Sequence, residues 1–247
     1  MEPQRAIEVF VKAFSFTRSF TYPFLPSRYG NAWVMRDDPP RDEPRNEEWV
    51  AWRMPPADLD GLASRHGGPR VAICAIRALE DDPKPINEAY RELGYRLQFT
   101  EPFFVHSLAS LPACKSEAEV VRVLDLETAA KLNKAARTRQ ILPEHLADPN
   151  PPIRQYMAVL EERIVGYVRS IVVGDATWVS NLYVHSQFRR RGIGAALMAQ
   201  MLADDKQSGS VGSVLLASHT GAKLYPQLGY ECIGELMLFK RRMVSRK

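Results

Sequence analysis

The sequence predicts an α/β (α+β) fold in which helices flank a mixed, mostly antiparallel sheet built from two related halves. Helix-like patterns alternate with short apolar runs along the 247 residues. Three apolar runs between residues 155 and 184 are separated only by tight polar turns, which is typical of an antiparallel meander. The motif Y-x-x-L-G-Y occurs at 90–95 and again at 225–230, each time between apolar runs, and this favours a duplicated architecture.

Local patterning predicts the elements of the first half. A proline followed by apolar residues at helical spacing starts a helix at Pro3. Two strands and a second helix follow, at 31–38, 69–78 and 84–94. The next apolar run contains Pro102, which predicts a strand that is broken there and lies at an edge or a bulge.

Small and polar residues dominate 109–119, where we place the main boundary. We expect a first module at 1–113 and a second domain at 114–247. The second domain begins with a strand, a helix and a proline-rich loop at 142–154, and the meander follows. A helix at 193–207, a strand, a helix over 220–230 and a last strand complete it.

Composition restricts the class of protein. The chain is 45% hydrophobic and 25% charged with a net charge of +4, and a nucleic-acid-binding protein usually concentrates more positive charge. No run of about 18 apolar residues predicts a membrane span. The N-terminal residues lack a signal-peptide pattern and the cysteines form no CxxC pair, so we expect a cytoplasmic protein. Its reduced thiols are Cys74, Cys114 and Cys232.

The stretch YVHSQFRRRGIGAAL, residues 183–197, joins an apolar strand to a helix through three arginines and two glycines. The first N–H groups of a helix have no partner within it and carry the positive end of its dipole. Gly192 and Gly194 remove the side chains that would keep a phosphate away from these groups, and Arg189–Arg191 add positive charge. The stretch therefore predicts a site for a ligand with a pyrophosphate.

Three other interpretations of this stretch are possible. A dinucleotide fingerprint needs a third glycine and a strand that ends closer to the helix. A P-loop needs Gly-Lys-Ser/Thr, which is absent here. A solvated arginine cluster beside a helix start is the alternative that involves no ligand.

Arg189-x-x-Gly192-x-Gly194-Ala195 resembles the coenzyme A signature R-x-x-G-x-G/A of the GCN5-related N-acetyltransferase (GNAT) family. NLYVHSQF before it is similar to the family's fourth strand, and RIVGYV to its third. GAKLYPQLGY resembles the family's A-x-x-L-Y-x-x-L-G-F/Y helix. The resemblance covers about residues 115–240, and its segments occur in the family's order and spacing.

The resemblance implies an acyltransferase that moves an acetyl group from acetyl-CoA, its cosubstrate, to an amine by direct attack, without a metal. The acceptor would be a small-molecule or peptide amine. A free backbone N–H near 182–184 would polarise the thioester carbonyl, and Tyr225 stands at the family's general-acid tyrosine. The residues implied in coenzyme binding are Leu182, Tyr183, Val184, Arg189, Arg190, Arg191, Gly192, Ile193, Gly194, Ala195 and Ser218.

Several assignments stay open. Ser180 and Asn181 stand where many family members carry an acid, so no general base is identified. His219 is either a base or an ordinary polar residue at a strand end. Tyr225 either acts in catalysis or only packs its helix, because Tyr90 holds the same place in the other copy of the repeat.

The alternative function is an acyl-CoA-binding sensor with little turnover, which the missing acid favours. Nucleic-acid binding through the three arginines and the basic tail at 240–247 is the weakest interpretation. His66, His106 and His145 are not spaced as metal ligands. The sequence leaves the identity of the acceptor, the acyl-chain preference and the oligomeric state open.

Two departures from the family pattern predict a tandem arrangement. Only 17 residues follow Tyr230, too few for the two strands that normally close the family's sheet. The first half has no counterpart of the arginine–glycine stretch. We therefore expect a degenerate GNAT-like first half that has lost its coenzyme loop, completes the sheet of the second half and walls its acceptor cleft.

Overall fold

The computed structural model describes residues 1–241, which form two compact units that are not contiguous along the chain. Unit 1 comprises Met1–Phe104, Leu216–Ala222 and the described residues from Cys232 to Arg241. Unit 2 comprises Val105–Leu215 and Lys223–Glu231. Among the described residues, no helix has the length and hydropathy that crossing a membrane requires.

Unit 1 contains three helices, and the first of them begins the chain. The helices are α1 (Pro3–Arg18), α2 (Pro56–His66) and α3 (Pro83–Glu92). The strands are β1 (Phe24–Tyr29), β2 (Ala32–Asp37), β3 (Glu47–Trp52), β4 (Val71–Ala78) and β5 (Tyr95–His106).

Unit 2 holds the meander and the helix after the arginine–glycine stretch. Its strands are β6 (Glu119–Arg122), β7 (Ile153–Leu160), β8 (Arg163–Val173), β9 (Ala176–Val184) and β10 (Gly212–Leu216). Its helices are α4 (Leu126–Ala136), α5 (Pro143–Ala147) and α6 (Ile193–Gln207). Two 3-10 turns, Gly221–Lys223 and Tyr225–Leu228, precede the final strand β11 (Glu231–Arg241).

Both units follow the same order of strand pairings. In unit 1, β1, β2 and β3 pair antiparallel in sequence, and β3 pairs parallel to β4 after α2. In unit 2, β7, β8 and β9 pair antiparallel in sequence, and β9 pairs parallel to β10 after α6. This confirms the predicted fold class, a mixed and mostly antiparallel sheet in two related halves.

The final strand follows the second Y-x-x-L-G-Y motif but belongs to unit 1. β11 pairs antiparallel with β4, from Gly234 opposite Ala78 to Lys240 opposite Ala72, and gives unit 1 the order β1-β2-β3-β4-β11-β5. The Phe239 ring on β11 lies 4.3 Å from the ring of Tyr90 in the core. For this reason the compact units are not the same as the contiguous modules expected at 1–113 and 114–247. The division into those two modules stays a prediction.

A buried carboxylate fastens α6 to the sheet of unit 2. Asp205, on α6, is fully buried and accepts from Arg154 on β7, at 2.7 Å. It also accepts hydrogen bonds of 2.8 Å from Ser170 on β8 and Thr177 on β9. One side chain therefore ties the last turn of α6 to three strands.

Two local predictions are corrected. Pro102 does not break its strand, because β5 runs through it and its carbonyl still accepts from the N–H of Ala217 at 3.1 Å. The segment 220–230 is not an α-helix but the pair of 3-10 turns. Pro226 in its middle lacks an N–H, and its ring would clash with the carbonyl four residues earlier.

Local patterning also missed four elements. These are β1, β3 and α2 in unit 1, and the short helix α5 inside the proline-rich loop. Each is short or begins at a proline, so each offers little periodicity to read.

Candidate active site

The parallel pair β9–β10 opens part-way along β9. Pairing is confined to three positions, from Gly212 opposite Ala176 to Val214 opposite Trp178. Beyond Trp178, β9 continues to Val184, while β10 ends at Leu216. Beyond Trp178 the two strands are therefore no longer paired.

A β-bulge marks the place where the two strands part. Tyr167 on β8 lies opposite Tyr183, but Arg169 lies opposite Ser180, so one residue of β8 faces two of β9. Asn181, in the bulge, has a φ of 58°, a left-handed conformation that asparagine tolerates better than most residues. The bulge re-aims the backbone that follows it.

The hydrogen-bond alternation of β9 decides which groups face the opening. The N–H of His185 donates to the carbonyl of Val165 on β8 at 2.8 Å. In a regular antiparallel pair alternate residues bond to the partner, so the N–H of Val184 is directed away from β8, toward the side on which β10 pairs with the start of β9. Val184 is one of the residues predicted to contact the pantetheine arm, and Leu182, another of them, lies in the bulge itself.

Glycines shape the turn at the start of α6. Gly192 is the N-cap residue with a φ of 73°, and a Cβ there would lie 3.2 Å from the carbonyl oxygen of Lys115. A Cβ on Gly194 would lie 3.7 Å from side-chain carbons of both Val184 and Leu224. The end of β9, the first turn of α6 and the segment that carries Tyr225 therefore converge.

The three arginines are exposed on this turn. The Nε of Arg189 donates to the carbonyl of Val184 at 3.0 Å. Arg191 pairs with Glu117, whose carboxylate raises the pKa of the guanidinium, and lies over the Phe188 ring at 5.5 Å. Positive charge thus surrounds the N–H groups of Ile193, Gly194 and Ala195, which a helix leaves without internal partners.

Tyr225 begins the second 3-10 turn and is 7% exposed. Burial raises the pKa of its hydroxyl to about 12. Its ring packs edge-on against Tyr230 with centroids 5.6 Å apart, and its carbonyl accepts from the N–H of Tyr230 at 3.1 Å. The phenol is therefore held in a defined place and stays protonated at neutral pH.

The first copy of the motif shares the ring packing and the glycine conformation, although Tyr90 lies in the α-helix α3 and Tyr225 in a 3-10 turn. Tyr90 packs edge-on against Tyr95 with centroids 5.9 Å apart, and Gly94 and Gly229 share a φ of 86°. Burial raises the pKa of Tyr90, and its buried hydroxyl has no hydrogen-bond partner in the part of the chain that the structure describes. The motif is therefore a structural device in both units.

The remaining predicted residues lie in unit 1. Ser218 accepts a hydrogen bond from the N–H of Gly221 at 3.2 Å. The Nε2 of His219 lies 2.8 Å from the hydroxyl of Thr100. Residues 182–184, 189–195 and 225 belong to unit 2, and no cluster of three metal-ligating side chains occurs within residues 1–241. Of the basic tail at 240–247, residues 242–247 lie outside the described part of the chain.

Sequence reasoning missed a polar group beside the bulge. The amide of Asn181 donates to the side-chain carbonyl of Gln140 at 2.7 Å. The guanidinium of Arg169 donates to the backbone carbonyl of Gln140 at 3.0 Å, and burial lowers its pKa to about 10. A positive charge thus lies one strand away from the opened edge, and only the pairing of β8 with β9 reveals it.

Residues 152–232 match the family model of the Acetyltransferase (GNAT) domain. This segment is a GNAT domain. It contains the meander, the arginine–glycine turn and Tyr225. No curated protein matches the sequence of the chain.

Solved structures resemble the chain over 87% to 100% of its length. A GCN5-related N-acetyltransferase from Kribbella flavida is 15% identical with a TM-score of 0.63, covering 98% of this chain and 96% of that one. One from Sphaerobacter thermophilus is 14% identical with a TM-score of 0.57, covering 87% and 78%. A tandem GNAT protein from the clavulanic acid biosynthesis pathway is 13% identical with a TM-score of 0.56, covering 100% and 97%. These likenesses show the fold, and the fold and the domain together support acyl transfer.

Proposed function

We propose that the chain is an acetyl-CoA-dependent N-acetyltransferase that passes the acetyl group directly to an amine. The observation that carries this proposal is the opening of β9 from β10 beside the glycine turn of α6. An opened strand edge can hold the amide-containing pantetheine arm, and a helix N-terminus can hold the pyrophosphate at its end.

Coenzyme binding would use backbone groups more than side chains. The N–H groups of Ile193, Gly194 and Ala195 would donate to phosphate oxygens, and the exposed arginines would add charge. The pantetheine amides would pair with the edge of Leu182–Val184, as an added strand does.

The reaction needs a donor where negative charge develops. Attack of the amine nitrogen on the thioester carbon forms the C–N bond and moves an electron pair onto the carbonyl oxygen. An N–H of Leu182 or Val184 would stabilise this oxyanion, and such preorganised donors commonly supply the largest part of catalysis. Collapse of the intermediate breaks the C–S bond and releases the CoA thiolate, while the proton of the amine passes to solvent.

Tyr225 would act on the departing thiolate. A thiol has a reference pKa of about 8.5, which is below the value of about 12 that burial gives Tyr225. Complete proton transfer is therefore uphill, and the hydroxyl stabilises the thiolate chiefly as a hydrogen-bond donor. This places its contribution at the lower end of the range for general acids.

An acyl-CoA sensor with little turnover is the second candidate. It is favoured by the side chains at the bulge, because Ser180 and Asn181 stand where a carboxylate base would be expected. Both candidates predict binding of acetyl-CoA and differ only in release of the thiol.

The deciding experiment measures free CoA thiol from acetyl-CoA across a panel of primary amines, with calorimetry of acetyl-CoA binding in parallel. Release that depends on the amine supports the transferase. Binding without amine-dependent release identifies the sensor. A chain that neither binds acetyl-CoA nor releases thiol contradicts both candidates.

A further inference from the structure

A buried histidine contacts the turn that carries Tyr225. His106, at the end of β5, is 2% exposed and belongs with unit 2. Its Nδ1 accepts from the backbone N–H of Leu108 at 2.9 Å, so the proton must reside on Nε2. That Nε2 donates to the carbonyl of Leu228 at 3.0 Å, and Leu228 ends the 3-10 turn that Tyr225 begins.

Two further contacts connect the same imidazole to Tyr225. The His106 ring lies 4.9 Å from the ring of Tyr230, which packs edge-on against Tyr225. A Cβ on Gly229 would lie 2.8 Å from Nε2, so the ring fills the space that a side chain would take. Burial lowers the pKa of His106 and keeps the ring in the neutral form that both hydrogen bonds require.

The other copy of the repeat is held differently. The residue 135 positions after His106 is Arg241, at the end of β11. Its Nε donates to the hydroxyl of Tyr95 at 3.1 Å, and its Nη2 donates to Asp60 and Ser64. The Arg241 bonds hold side chains, whereas the His106 bond holds the backbone of the turn that starts with Tyr225.

We infer that His106 is a positioning residue for Tyr225, acting through the hydrogen bond from its Nε2 to the carbonyl of Leu228. This inference rests on the proposed function, since it assigns His106 a role through the hydroxyl of Tyr225. His106 itself touches no reacting atom. Displacing a positioned group by about 1 Å can cost a reaction up to about 100-fold, so a single bond to the turn has a measurable consequence.

Two matched substitutions separate the two hydrogen bonds of the ring. The side-chain nitrogen of glutamine reaches the place of Nε2, so His106→Gln keeps a donor for the Leu228 carbonyl. The side-chain oxygen of asparagine takes the place of Nδ1, so His106→Asn keeps only the bond to Leu108. We expect kcat to fall about 10- to 100-fold in His106→Asn with an unchanged KM for acetyl-CoA. His106→Gln should retain most of the parental kcat.

Arg241→Gln is the control, because it removes the corresponding anchor in unit 1 and should lower thermal stability without changing kcat. Equal kcat values for the asparagine and glutamine variants would overturn the inference. If His106→Asn does not fold, nitrogen-15 spectra of the parental protein decide, since a ring protonated on Nδ1 cannot donate to Leu228. Tyr225→Phe distinguishes failure of the proposed role of Tyr225 from failure of the inference about His106. If Tyr225→Phe turns over at the parental rate, the proposed role of Tyr225 is wrong. If Tyr225→Phe is slower while His106→Asn is fully active, only the role of His106 is wrong.

Discussion

The two parallel strand pairs of this chain stand at matching places in their units but end differently. In unit 1, β3 and β4 pair over six positions, from Glu47 opposite Val71 to Trp52 opposite Ile76, and the N–H of Arg53 extends the ladder to Ile76 at 2.8 Å. In unit 2, β9 and β10 part after three positions. The N-cap residue of the helix after the first strand of each pair is Pro55 for α2 in unit 1 and Gly192 for α6 in unit 2.

These differences remove from unit 1 each feature that the proposed coenzyme site of unit 2 would use. A closed ladder leaves no strand edge for a pantetheine arm, and Pro55 and Pro56 have no N–H for a phosphate. Arg53 is paired with Glu80 and Asp81 at 3.1 and 2.7 Å. The cavity at this corner is about 240 Å³, which is below the usual size of ligand pockets. The same fold can therefore carry or lack the proposed coenzyme site, depending on a few residues at one turn.

Separating the halves should have the largest effect. Residues 115–247 expressed alone contain β11 without β4, so the fragment carries an unpaired strand and exposes Met237 and Phe239. We expect aggregation or loss of a cooperative thermal transition, measured by circular dichroism and light scattering. A soluble, cooperatively melting fragment with full affinity for acetyl-CoA would show that the first half is dispensable.

Removing one hydroxyl from each copy of the repeat should affect one copy only. Tyr225→Phe keeps the ring and its packing on Tyr230, so the fold and acetyl-CoA affinity should be nearly unchanged while kcat falls about 100-fold. Tyr90→Phe removes a buried hydroxyl from unit 1, where β3 and β4 stay paired to their ends, and should leave kcat unchanged. A parental rate for Tyr225→Phe, or an equal loss for Tyr90→Phe, would mean that the active unit is misassigned.

Coenzyme affinity should depend on the glycines more than on an arginine. Gly192→Val and Gly194→Val place branched side chains where phosphate oxygens would meet N–H groups. Loss of one charge-assisted hydrogen bond costs about 1.5–3 kcal/mol, so we expect at least about tenfold weaker binding by calorimetry. Arg190→Ala removes one exposed charge and should cost about 1 kcal/mol or less. The reverse order would contradict the phosphate-binding turn.

The two motif glycines offer the finest comparison, since both have a φ of 86°. Gly94→Ala meets no atom within 4 Å, so it should cost only the strain of the left-handed conformation, about 1–2 kcal/mol. Gly229→Ala adds a close contact with the Nε2 of His106 and should lower the melting temperature further and also reduce kcat. Equal melting temperatures for the two variants would show that the imidazole moves aside freely.

The sequence predicted features whose chemistry is local. The glycines and arginines at 189–195 indicated a phosphate site without any knowledge of packing, and the structure places them at the start of α6. The tight turns of the meander were equally readable, because turn residues act through their own backbone angles.

Features that depend on distant partners were not predictable. The bulge at Asn181 follows from the register of β8 against β9, and His106 from contacts with residues more than 100 positions away. β11 pairs with β4 although other strands could have been its partner, and a single sequence does not show which strands will pair. Pro102 was misread because a missing N–H does not prevent its carbonyl from pairing.

Because β11 pairs with β4, unit 1 cannot complete its sheet during synthesis until β11 has left the ribosome. β4 is synthesised roughly 150 residues before its partner, which corresponds to about 8–30 s at typical elongation rates. During that time the edge of β4 lacks β11, and β5, the repeat counterpart of β11, is already present. We therefore expect nascent chains to depend on chaperones and on the rate of translation, because a completed first unit requires a strand that is synthesised long after β4.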